Sequence, residues 1–142
     1  MQRSVQKRVL PLMIAIAVLG VLVGVGAATF LHPCRHADGS QAICAASGRA
    51  LTAAGLGLAL IALLGALVQN AHFRLCCAAL CVLGGAALIL IPGTLCPLCA
   101  ASAMRCRTVT APSARVAGVL IECMSIMQLV LCVKGIRGEK KA

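Results

Sequence analysis

Five of the ten cysteines in this 142-residue chain, Cys34, Cys44, Cys96, Cys99 and Cys106, fall between its apolar segments, where a thiol can react instead of filling space. The sharpest arrangement is Cys96-Pro97-Leu98-Cys99. Two thiols separated by two residues can form a strained, reducible disulfide, and a helix start beside the first favours its thiolate through free backbone N–H groups and the helix dipole. Cys96 and Cys99 are therefore the candidate catalytic pair of a thiol-disulfide exchange. Cys34 and Cys44 bracket a second loop and suit a shuttle that passes oxidising equivalents on through a mixed disulfide. The same thiols, Cys106 included, have a plainer use as structural bridges that staple loops too small to bury a core. An odd number leaves one thiol free, metal-bound or bonded between chains.

Metal ligation is the other chemistry these residues permit. His32, Cys34 and His36 alternate within His-Pro-Cys-Arg-His, and an extended backbone sends all three side chains to one side. With Cys96 and Cys99 they can complete a tetrahedral zinc site or a softer copper(I) site. Solvated loop histidines are the plainer reading of His32 and His36. Arg49 follows Cys44 at the mouth of an apolar segment. There it can polarise a quinone oxygen, favour a neighbouring thiolate or anchor to lipid headgroups. Glu122 is the one acidic residue inside an apolar segment, where an ionised carboxylate costs at least about 2.5 kcal/mol. It needs a partner, and Ser125 about one turn below and Arg115 about two turns above can share its face.

The elements that must position these groups are membrane spans. Apolar residues make up 61% of the chain and charged residues 11%, and the mean hydropathy is +1.03. Four apolar runs, 9–30, 51–68, 75–91 and 116–133, approach or exceed the roughly 20 residues that a bilayer core requires. The expected fold is a single all-α domain, an integral membrane four-helix bundle with two short cysteine-rich outer loops. The first run is longer than the apolar core of about 7 to 15 residues found in a cleavable signal peptide, so it is expected to remain as a span. Pro92-Gly93 ends the third, and Pro112 is expected to interrupt the chain again before the fourth. Cys76, Cys77, Cys81, Cys123 and Cys132 lie within the runs or at their ends and read as small apolar packing residues. Gly20 and Gly24 offer either close helix packing or a dimer through GxxxG. The chain also reads as two similar helix–loop–helix units.

The net charge of +10 is scattered at the ends of the apolar runs, and with aromatic residues at 1% there is no stacking platform for nucleic acid. Lipid headgroups are the expected partner. The basic start Arg3, Lys7, Arg8 and the tail from Lys134 to Lys141 place both termini on the cytoplasmic side of the cell membrane, with the cysteine loops outside. An outward-facing location exposes those loops to an oxidising compartment. The chain carries no phosphate-binding loop, nucleophile elbow, HExxH helix or paired carboxylates, so hydrolase and nucleotide-driven pump chemistry are not expected of it alone.

Four spans with cysteine pairs in the outer regions and a CxxC near the membrane surface resemble, in architecture, disulfide-bond oxidase B and vitamin K epoxide reductase, in which the CxxC faces a membrane quinone. In this chain the CxxC follows the third span in a loop. A second resemblance covers Phe30 to the fourth span. It rests on a two-cysteine outer loop, a short inner turn, Leu90-Ile91-Pro92, and Cys99 followed by Met104-Arg105-Cys106. That order is similar to the family of small four-helix bacterial membrane proteins known as domain of unknown function 4418, and it implies a cysteine framework outside a four-helix bundle. Two functions follow as expectations. One is thiol-disulfide exchange at the outer face, with quinone as a possible acceptor. The other is a non-catalytic, disulfide-stapled accessory or interaction subunit, for example of a transporter, or an outer-face zinc or copper binder.

Overall fold

The computed structural model describes residues 2–29, 44–68, 70–94 and 106–139. Four helices follow in order: α1 (Gln2–Thr29), α2 (Cys44–Leu67), α3 (Ala71–Leu90) and α4 (Ala111–Glu139), the last entered through a π-helical stretch at Cys106–Thr110. Each holds a segment long and apolar enough to cross a membrane: Val9–Thr29, Gly48–Leu67, Ala71–Leu90 and Thr108–Arg137. A 20-residue segment spans about 30 Å, the thickness of the hydrocarbon core. The all-α four-helix architecture is as expected from the hydropathy.

The helices alternate in direction, α1 lying mainly on α2 and α3 on α4, with α2–α3 and α1–α4 contacts closing the ring. Buried positions in α4 fall at 111, 114, 118, 121, 125, 128 and 132, and in α3 at 74, 78, 81, 85 and 88, with Cys77 buried beside them. That alternation of three and four residues is the knobs-into-holes spacing of left-handed bundles. The core it builds includes Ile16, Leu51, Leu58, Ala62, Leu88 and Ile121. Large apolar side chains cover the outside instead, with Leu22, Leu83 and Val116 each more than 60% exposed. On a soluble protein such a surface would aggregate; in a bilayer it is the solvated face.

Several boundaries differ from the hydropathy reading. α2 begins at Cys44, seven residues before the apolar run starts, because Ala45-Ala46-Ser47-Gly48 is compatible with a helix although weakly apolar. Pro112 does not interrupt the chain: it stands second in α4, where a missing N–H costs nothing. Gly20 and Gly24 are committed within the chain. A Cβ on Gly20 would lie 2.8 Å from the Gly55 carbonyl oxygen, and one on Gly24 would lie 2.9 Å from Leu56 Cγ, so this stripe seats α2 and is not open for a dimer. Between α2 and α3, Asn70 caps the new helix by accepting a hydrogen bond from the His72 N–H at 3.1 Å. At the other end of α3, Pro92 and Gly93, the latter at φ 98°, stop the helix as expected.

Candidate functional site

The interior of the bundle carries a polar stripe on α4. Ser125 and Gln128 are fully buried, and Glu122 is half-buried one turn from Ser125 on the same face. Their spacing of three residues keeps them on the side that α4 turns to its neighbours. The facing stripe of α3 is made of small residues, Ala78, Cys81 and Gly85, the first two fully buried. Smallness here is required: a Cβ on Gly85 would sit 2.6 Å from Glu122 Oε2 and 3.2 Å from the Glu122 nitrogen. The antiparallel register set by that contact, and by Gly118 against Ile89 of α3, brings Cys81 opposite Ser125 and Ala78 opposite Gln128. Small residues on one helix thus leave room for polar ones on the other.

Glu122 Oε2, Ser125 Oγ and both side-chain polar atoms of Gln128 are buried without a hydrogen-bond partner among the described residues. The partners expected for Glu122 do not engage it. Ser125 Oγ makes no such bond, and the Arg115 guanidinium instead donates through Nη2 to the Pro92 carbonyl at 3.1 Å, tying the start of α4 to the end of α3. In a bilayer no outside water competes, so an orphaned amide or hydroxyl costs on the order of several kcal/mol. The fold carries four such atoms on one face of α4.

Below this stripe, at the end where α2 turns into α3, lies Arg74. Its side chain is 8% exposed, and its Nε donates to the carbonyls of Gly65 at 3.2 Å and Val68 at 3.0 Å, with Nη2 near the Ala66 oxygen at 3.5 Å. These are carbonyls that the end of α2 leaves without helical donors, so the guanidinium of one helix caps its predecessor. Met13, Cys77 and Cys132 pack in the same layer with Val9. Of the cysteines in the spans, Cys77, Cys81 and Cys132 are buried and unbridged, while Cys76 and Cys123 face outward.

The chemistry-bearing residues of the connections are placed less fully. Cys44 is the first residue of α2 and Cys106 the first of the π-helical stretch, both at the bundle end opposite Arg74. Arg49 follows in the early turns of α2 with an exposed side chain. Cys34, Cys96, Cys99, His32 and His36 lie outside the described residues. Among the described residues, no three His, Cys, Asp or Glu side chains gather as a metal site.

Sequence reasoning singled out Glu122 by its charge and noticed Ser125, but passed over Gln128. The signal was present: three polar residues at 122, 125 and 128 of an otherwise apolar run define one helix face. The capping role of Arg74 had no such signal, because its acceptors lie six to nine residues back on another helix.

No curated protein and no solved structure matches the chain, and the likeness to disulfide-bond oxidase B and vitamin K epoxide reductase finds no support in these comparisons. The model of the domain of unknown function family (DUF4418) matches residues 16–131, from within the first span to the last turns of the fourth, and on that match this four-helix chain belongs to the DUF4418 family.

Proposed function

We propose that the protein is a membrane-embedded thiol-disulfide exchanger working at the end of the bundle where α2 and α4 begin. The observation that carries this reading is the common end of four helices: Thr29, Cys44, Thr94 and Cys106 all stand there, and the segments joining them contain Cys34, Cys96 and Cys99. Cys44 and Cys106 each open a helical segment, a position at which the backbone favours a thiolate. An oxidised Cys96–Cys99 pair takes two electrons from a substrate dithiol, leaving the substrate with the disulfide and the pair as two thiols. A membrane quinone then accepts two electrons and two protons from the pair and leaves as quinol, restoring the disulfide. An apolar cavity of about 210 Å³ toward this end, lined by Leu19, Val23, Ala27, Leu51, Ala114 and Ala117, supports an acceptor that travels in the lipid. The basic N-terminus supports a cell-membrane location with both termini cytoplasmic and the working end outside.

Maleimide–polyethylene glycol labelling of the purified protein in graded reductant tests this, with serine substituted singly at Cys34, Cys44, Cys96, Cys99 and Cys106. Cys96 and Cys99 are expected to become labelled at mild potential before the other three. Bridges that open only in strong reductant with denaturation would instead identify a stapled accessory subunit acting through a protein partner. Stoichiometric zinc or copper that is lost on replacing His32 and His36 would identify a metal-binding protein.

A further inference from the structure

The polar stripe of α4 is not used by thiol exchange at the far end, and its geometry points to a separate role that does not rest on that reading. We propose that Glu122, Ser125 and Gln128 line a proton path, a file of internal waters that connects the Glu122 carboxyl with the bundle end carrying Arg74. Three observations carry it. Glu122 Oε2, Ser125 Oγ and both polar atoms of Gln128 are buried and unpartnered among the described residues, so each has hydrogen-bonding capacity that a small polar guest can satisfy. Successive residues of the stripe are offset by three positions, about 4.5 Å along the axis, and their orphaned atoms do not bond one another. A gap of that size is bridged by one water accepting from one group and donating to the next. The wall that faces the stripe, Ala78, Cys81 and Gly85, is built of small side chains.

A bound metal cation fits the stripe less well. Hard cations draw six or more oxygens to within about 2.3–2.6 Å of one point, whereas these groups are spread over about 9 Å of helix with a single carboxyl among them. Toward the α4 start the same face continues as Ile121, Gly118 and Ala114, which offer no polar side chain, whereas toward the other end it reaches Cys132 and Arg74. The titratable groups facing the stripe are few. α3 brings Cys81, Cys77 and Arg74, and α4 itself brings Cys132 below and Arg115 above, the latter bonded to Pro92. The described side chains of α1 include no titratable group, and the described side chains of α2 include only Arg49, at the far end. Glu122 is thus the carboxyl at which protons entering from the Arg74 end would be held.

Dicyclohexylcarbodiimide, which reacts with protonated carboxyls in apolar surroundings, tests the proposal on the full chain in proteoliposomes. Asp38 and Glu139 are the other acidic residues, one between the first two spans in sequence and one near the tail, so peptide mass spectrometry separates them from Glu122. Glu122 is expected to be modified, the modification to fall as the pH is raised, and Glu122→Gln to lose the label. In the double variant Ser125→Ala, Gln128→Leu, whose apolar replacements suit the core, the response of labelling to a pH jump is expected to slow by at least about tenfold, equivalent to a barrier higher by about 1.4 kcal/mol. A Glu122 that is never modified, or modified equally at every pH, is sealed from water and overturns the proposal. A double variant that follows the jump as fast as wild type overturns it as well, because protons then arrive by another route.

Discussion

Arg74→Leu is expected to destabilise the folded protein by about 1.5–3 kcal/mol, the range for one well-formed hydrogen bond from a charged donor, because the single Nε–H is shared between two carbonyls. The loss exceeds that of a surface arginine because the guanidinium is buried against the end of a helix. The carbonyls of Gly65 and Val68 end α2 and are bonded at 3.2 and 3.0 Å by Nε, and the leucine that replaces the guanidinium would bury them against carbon. Arg74→Lys separates this cap from the electrostatic role of a positive charge beside the membrane. Lysine keeps the charge that helps set orientation but has a single ammonium in place of the planar fork, so it should restore insertion while recovering only part of the stability. Detergent unfolding midpoints and protease protection of the termini in vesicles read the two effects apart. A lysine variant as stable as wild type would show that charge alone, and not the cap, holds this corner.

The spans were legible because a bilayer demands long apolar runs, and Val9–Thr29 and Ala71–Leu90 match the hydropathy within a few residues. The early starts of α2 and α4 were not legible. Alanine, serine and glycine at 45–48 carry little hydropathy, and Pro112 reads as a breaker unless it is already known to lie in a first turn. The site divides along the same line. Glu122 stands out in sequence because a carboxyl in a span is rare, yet its setting against the bare Gly85 backbone is a matter of how two helices sit in register. Hydropathy scores residues singly and has no knowledge of register. Arg115 shows the consequence: it shares a helix face with Glu122 by periodicity, but its guanidinium donates to the Pro92 carbonyl at the end of α3.

Register also governs the second large effect. Gly55→Leu is expected to cost about 3 kcal/mol or more and Gly55→Ala about 1–3 kcal/mol, the range for overpacking a tight contact. A Cβ at position 55 would lie 2.7 Å from the Gly24 nitrogen, 2.8 Å from the Gly20 oxygen and 3.0 Å from the Gly24 Cα. All three are backbone atoms of α1, so no side-chain rotation relieves the clash. The helices must separate, and because lipid is as apolar as the residues it would replace, little but close packing and its dispersion energy holds them together. Gly57 lies two residues along the same helix, and a Cβ there would meet nothing within 4 Å. Gly57→Ala should therefore stabilise by about 0.5–1 kcal/mol, since alanine loses less backbone entropy in a helix than glycine. Two identical substitutions in α2 thus have opposite expected signs. Measured side by side by detergent unfolding, they isolate the α1–α2 contact from helix propensity. Equal shifts at 55 and 57 would show that the close approach of α1 and α2 does not hold the fold.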